Sequence, residues 1–322
     1  PQPGGAPAGP AAPPRPYLVC APMVRGSELA FRMLVRRHGV HACFTPMMKA
    51  EQLLAGGAEE LAVLERCADD RPLVAQLAGR DPDALGAAAR LVLRGLDADA
   101  VDLNLGCPQE CARLGGYGAF LQEEPELAAR CVEALRAAVA PLPVSCKMRI
   151  LATPEASADF ARRLEAAGCA LLAVHCRRRE AKHSGNPDFE HLARVVAAVN
   201  IPVVVNGGIR SRADAAAALE RTGAAAAMAG AALLECPRAF APQGPEGSVA
   251  DMAWEYLDFA ARFPPPSPLY IRKHLRWMFR SRLQEAHVEA RRGWLEGRSV
   301  DQAEWRVRAW TFLEQPYLSE VR

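Results

Sequence analysis

Four short stretches of this chain carry residues that could do chemistry. A lysine closes the run Pro143-Val144-Ser145-Cys146-Lys147, where packing gives an ammonium nothing. A histidine closes Leu171-Leu172-Ala173-Val174-His175 in the same way. Cys107 stands in Gly106-Cys107-Pro108, ahead of the glycine-rich stretch Gly115-Gly116-Tyr117-Gly118. Asn206-Gly207-Gly208-Ile209 and Gly230 follow two further apolar runs. Lys147 draws the eye because the chain has only four lysines, at 49, 147, 182 and 273, against 35 arginines.

Each stretch admits more than one role. Lys147 is either a side chain snorkelling from a strand end or a fixed positive charge for electron density on a flavin or another anionic ring. His175 is either a satisfied core histidine or a hydrogen-bond partner for cofactor or substrate. No second histidine or carboxylate stands at metal-ligand spacing, so no metal is expected. Cys107 is a structural loop thiol, a nucleophile or a general acid. A thiol with a pKa near roughly 8.5 keeps its proton at neutral pH and can donate it, whereas a nucleophile would want a neighbouring base. The glycines are turn residues, or they let backbone N–H groups approach phosphate oxygens.

Those residues need elements to hold them. Apolar runs suited to strands lie at 17–21, 41–45, 73–77, 100–104, 144–148, 171–175, 203–206 and 225–229. Between several of them fall amphipathic segments such as 83–96, 126–139, 155–167 and 212–221. Strand–helix alternation implies parallel strands with right-handed crossovers, and eight such units predict an α/β fold, a (β/α)8 TIM barrel. No GxGxxG follows the first strand, which speaks against a Rossmann opening. A barrel places function at the carboxyl ends of its strands. There the sequence has Ala21-Pro22-Met23-Val24, Gln76, Asn104 to Pro108, Lys147-Met148-Arg149, His175-Cys176-Arg177, Asn206-Gly207-Gly208 and Gly230-Ala231. Polar and glycine residues recur where each apolar run stops, as at an active-site rim.

Composition sets the outer bounds. With half its residues apolar and 24% charged, the chain can bury a large core. Its 39 basic against 37 acidic residues exclude an overtly basic nucleic-acid protein. No apolar run reaches the roughly 18 residues of a membrane span, so no membrane is expected. Residues 1–16 form a Pro/Gly/Ala tail that is expected to be disordered, and the natural start is expected to lie upstream. Ten cysteines without a CxxC pair suggest buried thiols in a reducing, cytoplasmic compartment. The barrel is expected to span 17–242. A helical domain is expected at 248–322, with all five tryptophans and helical stretches near 248–262, 268–291 and 299–314. Residues 270–282 carry Arg272, Lys273, Arg276, Arg280 and Arg282 without an acid. On a helix, 272, 276 and 280 share a face, which is either an ordinary solvated stripe or one that follows phosphates. Nothing in the sequence requires more than one copy of the chain.

Taken in order over 17–240, these motifs resemble the dihydrouridine synthase family, flavoenzymes that reduce uridines in tRNA. The resemblance rests on Ala21-Pro22-Met23-Val24, Gln76, Asp102-Leu103-Asn104-Leu105-Gly106-Cys107-Pro108, Lys147-Met148-Arg149, Val174-His175-Cys176-Arg177 and Asn206-Gly207-Gly208-Ile209. Gly106 to Glu110 and Tyr117 to Leu121 are most similar to the eukaryotic branch acting on positions 16 and 17. The resemblance implies FMN held by Pro22, Met23, Val24, Gln76, Lys147, His175, Asn206, Gly207, Gly208, Gly230 and Ala231. It implies NADPH or NADH as reductant and Cys107 as the acid protonating uracil C5. Asn104 and Arg177 would contact the flipped base, and Arg272, Lys273, Arg276 and Arg280 the tRNA. The chain departs from the family pattern at Cys176, where glycine is usual, and at Ala231-Ala232, where an arginine or second glycine often follows Gly230. Two other readings are another flavin barrel, such as a dihydroorotate dehydrogenase or an ene-reductase, and a tRNA-binding protein that kept the scaffold without catalysis.

Overall fold

The computed structural model describes residues 16–280, apart from 66 and 183. Nine strands form one parallel sheet: β1 (Leu18–Cys20), β2 (Ala42–Phe44), β3 (Met48–Lys49), β4 (Leu73–Ala78), β5 (Ala100–Leu105), β6 (Val144–Arg149), β7 (Leu171–His175), β8 (Val203–Asn206) and β9 (Ala226–Ala229). The ladder runs β2-β1-β9-β8-β7-β6-β5-β4, and pairing of β2 with β4 closes it into an eight-stranded barrel. The expected (β/α)8 barrel is therefore present.

The ninth strand was not expected, and it has a local cause. β3 pairs with the end of β4, Met48 opposite Leu77 and Lys49 opposite Ala78. It continues β2 across the break Thr45-Pro46-Met47. Proline cannot donate to the ladder. The hydroxyl of Thr45 accepts from the Gln76 N–H at 3.0 Å instead, so pairing resumes beyond the break.

Helix starts are written in the chain. Asp81 accepts from the N–H groups of Asp83 and Ala84 ahead of helix Pro82–Gly95, and Thr153 caps Pro154–Ala166. Asp188 caps Phe189–Ala198, and Ser211 caps Arg212–Thr222. Each side-chain oxygen satisfies an N–H that has no partner in the first turn, and proline at the first helical position lacks that N–H altogether. One large apolar core fills the annulus between strands and helices.

The lumen is divided. Val19, Ala21, Ala42, Phe44, Ala173, Val204, Ala226 and Met228 form a separate apolar cluster inside it. On β4, β5 and β6 the positions of the same parity are Gln76, Asp102, Asn104, Ser145 and Lys147, so side-chain alternation turns a polar wall toward that cluster.

Beyond the barrel, helix Val249–Arg262 packs on helix Leu29–Arg37, and helix Pro268–Met278 packs on Val249–Arg262 and Ala231–Glu235. Their buried residues Tyr256, Leu257, Ile271, Leu275 and Met278 belong to the same core as the barrel's outer layer. His274, fully buried, stacks on Phe31 at 4.4 Å between ring centroids. The helix expected over 268–291 ends at Met278 within the described residues, and Arg280 lies in the turn that follows. Arg282, the rest of that stretch, and the stretch expected at 299–314 lie outside the described residues, as does the 1–15 part of the tail.

Candidate active site

The carboxyl ends of β4 to β8 bring most of the expected residues together. Register places Asn104 beside Lys147, and sets Arg149, His175 and Asn206 side by side on consecutive strands. Lys147 Nζ donates to Asn206 Oδ1 at 3.0 Å, while Asn206 Nδ2 donates to the Met228 carbonyl at 2.8 Å. The Asn206 amide is thereby fixed in one orientation. Desolvation, and then the nearby Arg149 guanidinium, draws the Lys147 ammonium down to about 8.

Asn104 shapes the cysteine loop. Its Oδ1 accepts from the N–H groups of Gly106 (3.1 Å) and Cys107 (3.0 Å). Its Nδ2 donates to Gln76 Oε1 at 2.8 Å, and Gln76 Nε2 donates to Asp102 Oδ2 at 2.8 Å. Asp102 takes a further bond from Ser145 Oγ at 2.6 Å. Burial raises this carboxyl to about 6 against both donors. Gln76, fully buried beneath Asn104, therefore reaches the mouth through Asn104.

Cys107 lies on the loop so formed, and its carbonyl accepts from the Ala119 N–H at 3.0 Å. Gly118 has a φ of 64°, and a Cβ there would stand 2.8 Å from that carbonyl, so only glycine fits. Desolvation raises the Cys107 thiol above its ordinary value, more than a backbone N–H, Arg149 and Lys147 lower it. At neutral pH it is a protonated thiol with two cations near the charge left when the proton departs.

Arg149 is a buried guanidinium that sequence reasoning left without a role. Its Nε donates to the Gly106 carbonyl at 2.8 Å, and its Nη1 to the carbonyls of Lys182 (2.7 Å) and Arg178 (3.3 Å). It ties the cysteine loop to the loop after β7. Burial draws it down to about 10. Asp102 and Ser145 were likewise overlooked as parts of the site. One signal would have found all three: polar residues repeat every second position in Asp102/Asn104 and Ser145/Lys147/Arg149, which inside a barrel marks a polar wall.

The remaining expected residues divide into two groups. His175 is buried at the end of β7, and Arg177 Nε donates to the Gly185 carbonyl at 2.8 Å. Gly207 and Gly208 have φ of 108° and 76°, and a Cβ on Gly207 would lie 3.4 Å from both His175 Cε1 and Arg177 Nη1. Gly230, with Ala231 next in chain, faces Met23, whose Sδ would be 3.3 Å from an added Cβ. Pro22, Met23 and Val24 leave β1 beside it. These residues surround one end of the barrel. Arg272, Lys273 and Arg276 instead stand on helix Pro268–Met278. Arg280, past its end, lies over the Trp277 ring at 4.9 Å and 3.7 Å from Glu235, so the stripe is not one continuous helix face. Lys273 Nζ turns inward to the Val24 carbonyl.

A family model described as dihydrouridine synthase matches residues 19–262. The chain belongs to the dihydrouridine synthase family. Within it, a rat protein named tRNA-dihydrouridine(16/17) synthase [NAD(P)(+)]-like is 40% identical over 270 residues, covering 83% of this chain and 60% of that protein. A human protein named tRNA-dihydrouridine(20a/20b) synthase [NAD(P)+]-like is 34% identical over 262 residues, 81% of each chain. This dihydrouridine synthase family member thus spans three-fifths of the rat relative's length. Among solved structures, a 2-naphthoyl-CoA reductase with 2-naphthoyl-CoA bound superposes with a TM-score of 0.52 at 12% identity, over 69% of this chain and 49% of that one. That likeness shows the fold alone.

The residues at the mouth fit an FMN-type cofactor. Lys147, held by Asn206, offers a fixed cation for the anionic edge of a reduced ring. Gly207 and Gly208, both at positive φ, turn the backbone after β8, where N–H groups could meet a phosphate.

Proposed function

We propose that the chain is an FMN-dependent tRNA-dihydrouridine synthase that reduces the C5=C6 bond of uridine in the D-loop, at positions 16 and 17, with NADPH or NADH as electron source. One observation carries this reading: Lys147 and the protonated Cys107 face the same barrel mouth, each held by an asparagine. Greater identity to the relative named for 16/17 than to the one named for 20a/20b supports the position.

FMN, when bound, supplies the hydride for C6. The chain's own residues do the rest. Lys147 and Asn206 hold charge against the ring, with His175 as a further hydrogen-bonding group on the rim. Gly207, Gly208, Gly230 and Ala231 present backbone N–H groups to the phosphate, and Pro22, Met23 and Val24 form the adjoining wall. Gln76 fixes Asn104, which fixes the Cys107 loop. Cys107 gives its proton to C5, and Arg149 and Lys147 stabilise the thiolate until it regains one. Arg177 reaches toward the base, which must leave the tRNA stack to enter the barrel. Arg272, Arg276 and Arg280 offer cations to the tRNA backbone from beside the barrel.

Purified protein mixed with FMN should show a bound flavin band at roughly 450 nm, bleached by NADPH or NADH. tRNA from cells lacking the protein should have lost dihydrouridine at 16 and 17. Failure to bind flavin removes the enzyme reading; unchanged dihydrouridine at both positions removes this substrate.

A further inference from the structure

Two loops at the barrel mouth each hold a residue in the left-handed region: Arg25 (φ 53°) after β1 and Lys182 (φ 48°) after β7, the two non-glycine cases among the described residues. Such residues persist where surrounding contacts overdetermine them. For Lys182 the contact is Arg149, whose guanidinium donates to the Lys182 carbonyl at 2.7 Å. The β1 loop has a matching clamp. Lys273 Nζ donates to the carbonyl of Val24, the residue just before Arg25, and would lie 3.6 Å from a Cβ on Gly26.

Lys273 is not a loose surface side chain. Its neighbour His274 is fully buried, with Nε2 at 2.9 Å from Glu28 Oε1, and Ile271 and Leu275 are in the core. Desolvation draws the Lys273 ammonium below its ordinary value, as expected for a charge turned inward. The loop's other ties are short. Ser27 Oγ accepts from the Met23 N–H at 3.0 Å, and Arg32 Nη1 donates to the Ser27 carbonyl at 2.7 Å. The Gly26 N–H also donates to the Met23 carbonyl at 2.9 Å, and Arg25 Nε and Nη2 donate to Glu59 at 2.7 and 3.1 Å, so the Val24 carbonyl is the part of the loop that Lys273 holds.

We propose that Lys273, carried on the helix beyond the barrel, is a positioning residue of the cofactor site, setting the Met23-Val24-Arg25-Gly26 loop rather than contacting RNA phosphate. The consequence for cofactor binding rests on the FMN reading above.

The test compares native protein with Lys273→Met, which removes the cation, and Lys273→Arg, which keeps one. FMN titration should show about tenfold or weaker affinity in the methionine variant, with most of it restored in the arginine variant. Deuterium uptake at 22–27 should rise in the methionine variant and stay near native in the arginine variant. The salt dependence of tRNA binding should be unchanged in both. Unchanged FMN affinity with a salt slope smaller by about one phosphate contact would overturn the proposal, as would unchanged affinity and unchanged exchange. If native protein takes up no FMN, the functional reading fails separately, and exchange at 22–27 in the protein without flavin decides the positioning role: unchanged uptake in the methionine variant ends it.

Discussion

The barrel lumen buries Asp102 and half-buries Lys147, while the seam between the barrel and helix Pro268–Met278 buries Glu28 and His274. In both places desolvation is the largest influence on the carboxyl group. In the seam, the His274 ring at 2.9 Å, backbone N–H groups and the Tyr256 hydroxyl at 2.9 Å together outweigh it, and Glu28 sits below the ordinary carboxyl range. In the lumen, Asp102 has two neutral donors and a more distant lysine, desolvation prevails, and the carboxyl rises to about 6. Lys147 has an amide oxygen as its acceptor and falls to about 8. The seam compensates its carboxylate internally and so contributes to folding. The lumen leaves both groups poised toward neutrality, which is how a site keeps a cation for a ligand rather than for the fold.

This contrast predicts that lumen and mouth variants lose chemistry while seam variants lose stability. Cys107→Ala should show the largest effect. Uridine reduction in single-turnover assays should fall about 10²–10⁴-fold, the range for a removed general acid. Flavin reduction by NADPH and the melting temperature should stay near native. Loss of both half-reactions would contradict the acid role. Glu28→Gln should cost about 1–3 kcal/mol in urea unfolding, because it weakens the buried hydrogen bonds that His274 and Tyr256 make to the carboxylate. Once folded at low temperature, the variant should still bind flavin; a near-native unfolding midpoint would erase the contrast.

The smallest effect concerns pH. Asp102 holds its proton more tightly in the folded chain, so its ionisation lowers stability as pH rises from about 4 through about 6. The displacement from 3.8 to about 6 corresponds to at most about 3 kcal/mol. Asp102→Asn should flatten this slope in the flavin-free protein. Lys147 acts with the opposite sense at the alkaline end: its lowered value makes stability rise above about pH 8, and Lys147→Met should remove that rise. Glu28, lowered on folding, stabilises above the ordinary carboxyl range and loses that contribution on acidification. An Asp102→Asn profile parallel to native between pH 4 and 7 would show that the lumen carboxyl is compensated after all.

Much of the barrel could be read from the chain because parallel strands buried on both faces appear as unbroken apolar runs, and the capped helices announce their starts. The β2 break escaped notice because Thr45 replaces a backbone acceptor with a side chain, and composition cannot show that exchange. At the site, residues ending apolar runs, such as Lys147, His175 and Asn206, stand out by type. Asp102 and Ser145 lie inside runs, and Arg149 two residues past the end of one, so they emerge only when alternation is applied strand by strand. The Glu28–His274 pair spans 246 positions, so no local pattern could join them. The inward turn of Lys273 was equally hidden, since a cation within a basic helix gives no sign of which side it takes.

The Asn206 amide, bonded at both ends to Lys147 and to the Met228 carbonyl, has one further consequence. A lysine side chain ordinarily samples many rotamers, and freezing one costs up to roughly 2 kcal/mol of entropy. Here that ordering is completed when β6 and β8 join the barrel. The site is therefore preorganised: an arriving anionic ligand meets a charge already in place and keeps more of its interaction energy as affinity.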